Sequence, residues 1–96
     1  MKHDILIKYN PEIGKVRKAE LIPEIRALFE QTTEIPGIHG VTLYPNVVER
    51  ENRYDLLIEI DMERDALEDY DCSVWHRQWK EQYGDLLEKK AIFDHE

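Results

Sequence analysis

The residues able to do chemistry in this chain crowd into twelve positions. The stretch EDYDCSVWHRQW, residues 68–79, holds Tyr70, the single cysteine Cys72, both tryptophans and His76. A tyrosine hydroxyl can donate a hydrogen bond to a carbonyl or enolate oxygen, and a neutral imidazole can accept a proton. Tyr70 and His76 together therefore suit enolisation or an aldol-type ring closure. Ser73 is a residue type that caps helix N-termini, which puts His76 at the third helical position, in the electropositive first turn. That field opposes a second proton on the ring and keeps His76 available as a base. His76, Trp79 and Tyr83 then share one side of the helix at i, i+3 and i+7. Trp79, Tyr83 and Leu86 are expected to give an apolar, ligand-binding floor. The competing reading is packing. Tyrosine and histidine are common at core margins, where they bond each other or the backbone and simply close the core.

The remaining reactive groups offer less. Cys72 lies beside a helix start but has no evident partner base, so it reads as incidental. His3 and His95 come together if the first and last strands pair. Two histidines do not complete a divalent site, and Asp4 and Asp94 are expected on the opposite face, so no metal is expected. The chain has no Gly-rich phosphate loop, no G-x-S-x-G and no metal-spaced Cys/His cluster. Nucleotide enzymes, serine hydrolases and zinc modules are thereby set aside, and no cofactor is expected.

These residues must be positioned by a small scaffold of 96 residues, read as one domain over 1–96. Strand alternation marks His3–Tyr9, with Ile5, Ile7 and Tyr9 on one face and Leu6 on the other. A main helix is expected over 22–33, after a looser turn around 15–20, because Pro23 interrupts the earlier pattern. Its apolar stripe would be Val16, Ala19, Ile22, Ile25, Leu28 and Phe29. A second strand is expected over 38–49, with Pro45 marking an edge or a bulge, and a third over 54–61. Helices follow at about 63–70 and from Ser73 to about Glu88, the latter with Trp75, Trp79, Tyr83, Leu86 and Leu87 as its stripe. A last strand covers 90–95. The order βαββαβ predicts an α+β, ferredoxin-like domain with a four-stranded antiparallel sheet in the order 4-1-3-2 and helices on one face. Leu6, Leu57 and either Ile92 or Phe93 must then point away from the helices. A second copy of the sheet is the simplest cover, so a homodimer is expected.

Composition narrows the partners. With 21 Asp and Glu against 13 Lys and Arg, the net charge is −8, which repels nucleic acid and anionic membranes. No stretch approaches the apolar length of a membrane span. One cysteine excludes an internal disulfide framework and fits a cytoplasmic setting.

Five segments resemble one family. KHDILIKYNPE is similar to the opening strand of the stress-responsive A/B barrel (Dabb) domain of the dimeric α+β barrel superfamily. EIPGIHGV resembles its loop before strand 2, YDLLIEID its third strand, DALEDYDCSVWHRQW its helix-loop-helix, and KKAIFDHE its closing strand. The resemblance implies a homodimer whose two sheets form a closed barrel. Many members have no assigned activity, but one plant branch closes aromatic polyketide rings without a cofactor, using a tyrosine and a histidine. Tyr70 and His76 match that spacing, His3 matches an N-terminal histidine of the site, and Trp79 matches a pocket-lining aromatic. Where the family often writes His-Pro, this chain has Ser73-Val74. The implied function is binding or transformation of a small aromatic or polyketide-like molecule. A non-enzymatic stress-responsive or scaffold dimer, and a cofactor-free monooxygenase, are the alternatives.

Overall fold

A computed structural model describes all residues from Met1 to Glu96. Its elements are β1 (Lys2–Tyr9), α1 (Lys15–Glu30), β2 (Ile38–Pro45), β3 (Leu56–Met62), α2 (Leu67–Asp71), α3 (Val74–Tyr83) and β4 (Leu87–His95). The four strands form one antiparallel sheet in the order β2-β3-β1-β4, which is the 4-1-3-2 order expected from the sequence. No helix is long and apolar enough to cross a membrane.

The alternation of β1 and β3 decides which sheet face is covered. Ile5 and Ile7 of β1 lie opposite Ile58 and Leu56 of β3, and all four are buried against α1 and α3 with Leu21, Ile25, Phe29 and Trp79. The other face carries Leu6, Leu57, Tyr44 and Phe93. No element of the chain covers it, and Phe93 is 63% exposed. Of the two residues expected to compete for that face, Phe93 takes it, because Ile5 pairs with Ile92 and Asp4 with Phe93.

Several element boundaries differ from expectation, each for a local reason. α1 is one continuous helix from Lys15, running through Pro23. Pro23 and Ala19 are both exposed, so the Ala19 carbonyl that loses its i+4 donor faces water. The buried stripe of α1 is Leu21, Ile25, Leu28 and Phe29, while Val16 and Ala19 are exposed. β2 stops at Pro45, at the sheet edge, and residues 46–49 are exposed loop. β3 begins at Leu56 and ends at Met62, two residues and one residue later than the pattern suggested. The segment before α2 is a 3-10 turn, Arg64–Ala66. α3 ends at Tyr83, not near Glu88. Gly84 opens a further 3-10 turn, and Leu87 already pairs with Tyr9.

Gly37 sits where the chain enters β2 and has φ 93°, in the left-handed region that glycine alone tolerates easily. A Cβ there would lie 3.1 Å from the Ala66 Cβ. This close approach brings the entry to β2 against the turn that leads into α2.

Candidate functional site

The break between α2 and α3 is held by one hydroxyl. Ser73 Oγ donates to the Tyr70 carbonyl (2.7 Å) and accepts the His76 backbone N–H (3.1 Å) as the N-cap of α3. The Ser73 N–H also donates to the Tyr70 carbonyl. One side chain thus satisfies the end of one short helix and the start of the next. It thereby fixes the spacing of the two residues suspected of chemistry.

Tyr70 and His76 meet edge to face, with ring centroids 5.0 Å apart. On its other side Tyr70 meets His3 of β1, with centroids 5.5 Å apart and planes at 63°. Tyr70 is 1% exposed, and its hydroxyl has no hydrogen-bond partner within the chain. Burial, and then the adjacent Asp71 charge, raise its pKa well above the ordinary tyrosine value. It therefore stays a proton donor throughout the physiological range. His76 moves the other way. Its burial, with Lys80 and Lys90 nearby, lowers its pKa, and the Asp71 carboxylate offsets part of this. At neutral pH His76 is an uncharged imidazole able to take a proton.

His3 is buried, and its Nδ1 lies 2.5 Å from Asp94 Oδ1. A carboxylate can only accept here, so Nδ1 carries the proton and Nε2 is the free nitrogen. His3 and His95 therefore do not adjoin as expected. His3 pairs with Asp94, while His95 lies across from Lys2 on the other face.

These groups line a cavity of about 310 Å³, at the lower end of ligand-pocket size. Its wall is His3, Ile5, Tyr70, His76 and Trp79, and Lys90, Ile92, Asp94 and Asp71 form an exposed rim. Of the sequence-predicted residues, Tyr70, His76, His3 and Trp79 are brought together. Tyr83 and Leu86 are not. Tyr83 packs on the far side of Trp79 and its hydroxyl reaches Glu24 (3.3 Å). Leu86 lies in the 3-10 turn after α3. Trp75 keeps to the expected stripe, partly buried against the core, and its Nε1 donates to Gln31 (2.8 Å). Sequence reasoning missed Asp94 and Lys90. Their signal was the alternation of β4, read one residue out of register.

A larger surface groove of about 910 Å³ lies at the other end of the sheet, between the start of α1 and the loop after β2. Lys8, Lys15 and Lys18 line it, but all three are engaged by chain carbonyls or carboxylates. It gathers no acid and base pair comparable to Tyr70 and His76.

The sequence matches no known family profile and no curated protein. Solved structures are similar in fold. A dimeric ferredoxin-like protein of unknown function from Bacteroides fragilis superposes with a TM-score of 0.78 at 15% identity, covering 99% of this chain and 93% of that one. A Dabb family protein from Mesorhizobium loti gives 0.74 at 10% identity, over 99% and 93%. The chain has the ferredoxin-like fold of these proteins. A hydroxynitrile lyase from Passiflora edulis shares it at a TM-score of 0.73 and 11% identity, over 98% and 89%. This fold thus occurs both in an enzyme and in proteins of unknown function.

Proposed function

We propose that this chain is a Dabb-type homodimer whose protomers each hold a small aromatic or polyketide-like molecule. Each would act on it by cofactor-free acid/base chemistry. In this reading His76 removes a proton next to a carbonyl, and the Tyr70 hydroxyl donates to the enolate oxygen that forms. His3, held by Asp94, orients the bound molecule, and Trp79 supplies the apolar wall. One observation carries the reading: Tyr70, whose buried hydroxyl has no partner, lines the same cavity as the neutral imidazole of His76. A buried unpaired hydroxyl costs about 1–3 kcal/mol, and a ligand oxygen would satisfy it. The homodimer is supported by the uncovered apolar sheet face and by the dimeric B. fragilis neighbour.

The test is hydrogen–deuterium exchange of α-protons in aryl ketones and aryl thioesters, followed by NMR. The chain should accelerate exchange over buffer, and Tyr70→Phe and His76→Ala should each lower the rate at least about tenfold. The acid limb of the pH profile should have its midpoint below pH 6.5, because protonated His76 cannot accept and its pKa is lowered. Exchange no faster than buffer, or unchanged in both variants, would sink the proposal.

A second reading, a non-enzymatic dimer, is favoured by a different observation. Tyr70 is packed edge-on between two histidine rings, as a purely structural residue would be.

A further inference from the structure

The sheet face opposite the cavity carries a cluster that the mechanism above does not use. Asp4 of β1 lies directly across from Glu59 of β3, and His95 of β4 leans onto both. His95 Nε2 is 2.8 Å from Asp4 Oδ2 and 3.8 Å from Glu59 Oε2. One donor atom from each of the three lies within 4.8 Å of the other two. Asp4 and His95 share a face because Asp4 pairs with Phe93, two residues before His95. This reverses the expectation that Asp4 points away from His95.

We infer that Asp4, Glu59 and His95 form a site for a first-row divalent cation of the zinc or manganese kind. The fit is geometric first. Metal–ligand bonds of about 2.1 Å put neighbouring donors roughly 3.0–3.4 Å apart in octahedral or tetrahedral coordination. The two His95 distances bracket that range. The donor set is one imidazole and two carboxylates, a mixed N/O set that borderline cations accept.

A second observation points to a missing positive charge. Asp4 is 8% exposed, yet its Oδ1 is buried with no hydrogen-bond partner. Such a carboxylate oxygen is costly unless a donor or a cation meets it. Lys2, which lies across from both Asp61 and His95 in the sheet, is already engaged by Asp61 (3.2 Å). A divalent cation would balance both carboxylates with His95 neutral. The inference stands apart from the acid/base reading, because the cluster lies on the opposite side of the sheet from Tyr70 and His76, on the face that the proposed homodimer would cover.

The experiment is a calorimetric titration of the metal-free chain with Zn²⁺ near neutral pH. Variants Asp4→Asn, Glu59→Gln and His95→Ala are compared with His39→Ala, which removes a surface histidine paired with Glu63 elsewhere. One cation per chain is expected. Affinity should fall at least about tenfold in each cluster variant and stay unchanged in His39→Ala. His95 is exposed, so its variant keeps the test valid even if Asp4→Asn does not fold. No saturable binding, or equal affinity in His95→Ala and the parent, overturns the inference.

Discussion

At the scale of single residues, Tyr70 bears the sharpest conflict between stability and use. Its ring makes good contacts with His3 and His76, but its hydroxyl has no partner in the chain. Removing the oxygen should therefore remove a penalty and leave the contacts. Tyr70→Phe is expected to be as stable as the parent, or more stable by up to about 1 kcal/mol, in urea denaturation. A loss of more than about 1 kcal/mol would mean that the hydroxyl is engaged in the folded chain, and would favour the packing reading. Much of this site was legible from residue types. Tyrosine, serine and histidine at 70, 73 and 76 announced a helix break with a cap, and that break fixes the geometry. Asp94 was not legible. Choosing between Asp94 and His95 as the neighbour of His3 depends on a one-residue register, which turn and strand lengths set and local sequence does not.

At the scale of elements, Ser73 links the chemistry to the backbone. Its hydroxyl bonds both the Tyr70 carbonyl and the His76 N–H, so losing it releases the end of α2 and the start of α3 together. Ser73→Ala should cost about 1–2 kcal/mol by thermal or urea melts, and Ser73→Thr, which keeps the oxygen, should recover most of it. An unchanged melt in Ser73→Ala would show that packing alone holds the break. The strands were legible because alternation marks a half-buried strand directly, and the antiparallel order followed from βαββαβ. The helices were less so. Pro23 argues against helix by local rule, yet its solvent-facing position makes the lost bond cheap. Tyr83, Leu86 and Leu87 continue an apolar stripe by spacing, although pairing with Tyr9 pulls Leu87 into β4. In each case tertiary placement overrode a local signal.

At the scale of the whole molecule, the uncovered sheet face is the main unbalanced surface. Leu6, Leu57, Tyr44 and Phe93 lie on it, and Phe93 is among the most exposed large apolar residues. If two sheets meet there, a charge at 93 would be desolvated against apolar neighbours. Phe93→Glu should weaken self-association by about a hundredfold or more, as read by native mass spectrometry and sedimentation. Its own fold should be unaffected. A parent chain that is monomeric at micromolar concentration, or a variant that dimerises equally well, would remove the sheet-to-sheet assembly.

The pairing of β1 with β4 has one more consequence. His3 meets Asp94 on the cavity side, and Asp4 meets His95 on the other. Two opposite His–Asp contacts are thus written into consecutive positions of one ladder, back to back. A one-residue slip of β4 that brought His95 opposite His3 would turn each of its side chains to the other face. Histidine would then confront histidine, and aspartate would confront aspartate. The ladder carries its own parity check: attraction on both faces in the native register, repulsion or an unpaired carboxylate in the next. The strand that closes the fold is also the strand whose misalignment would be felt on both faces at once.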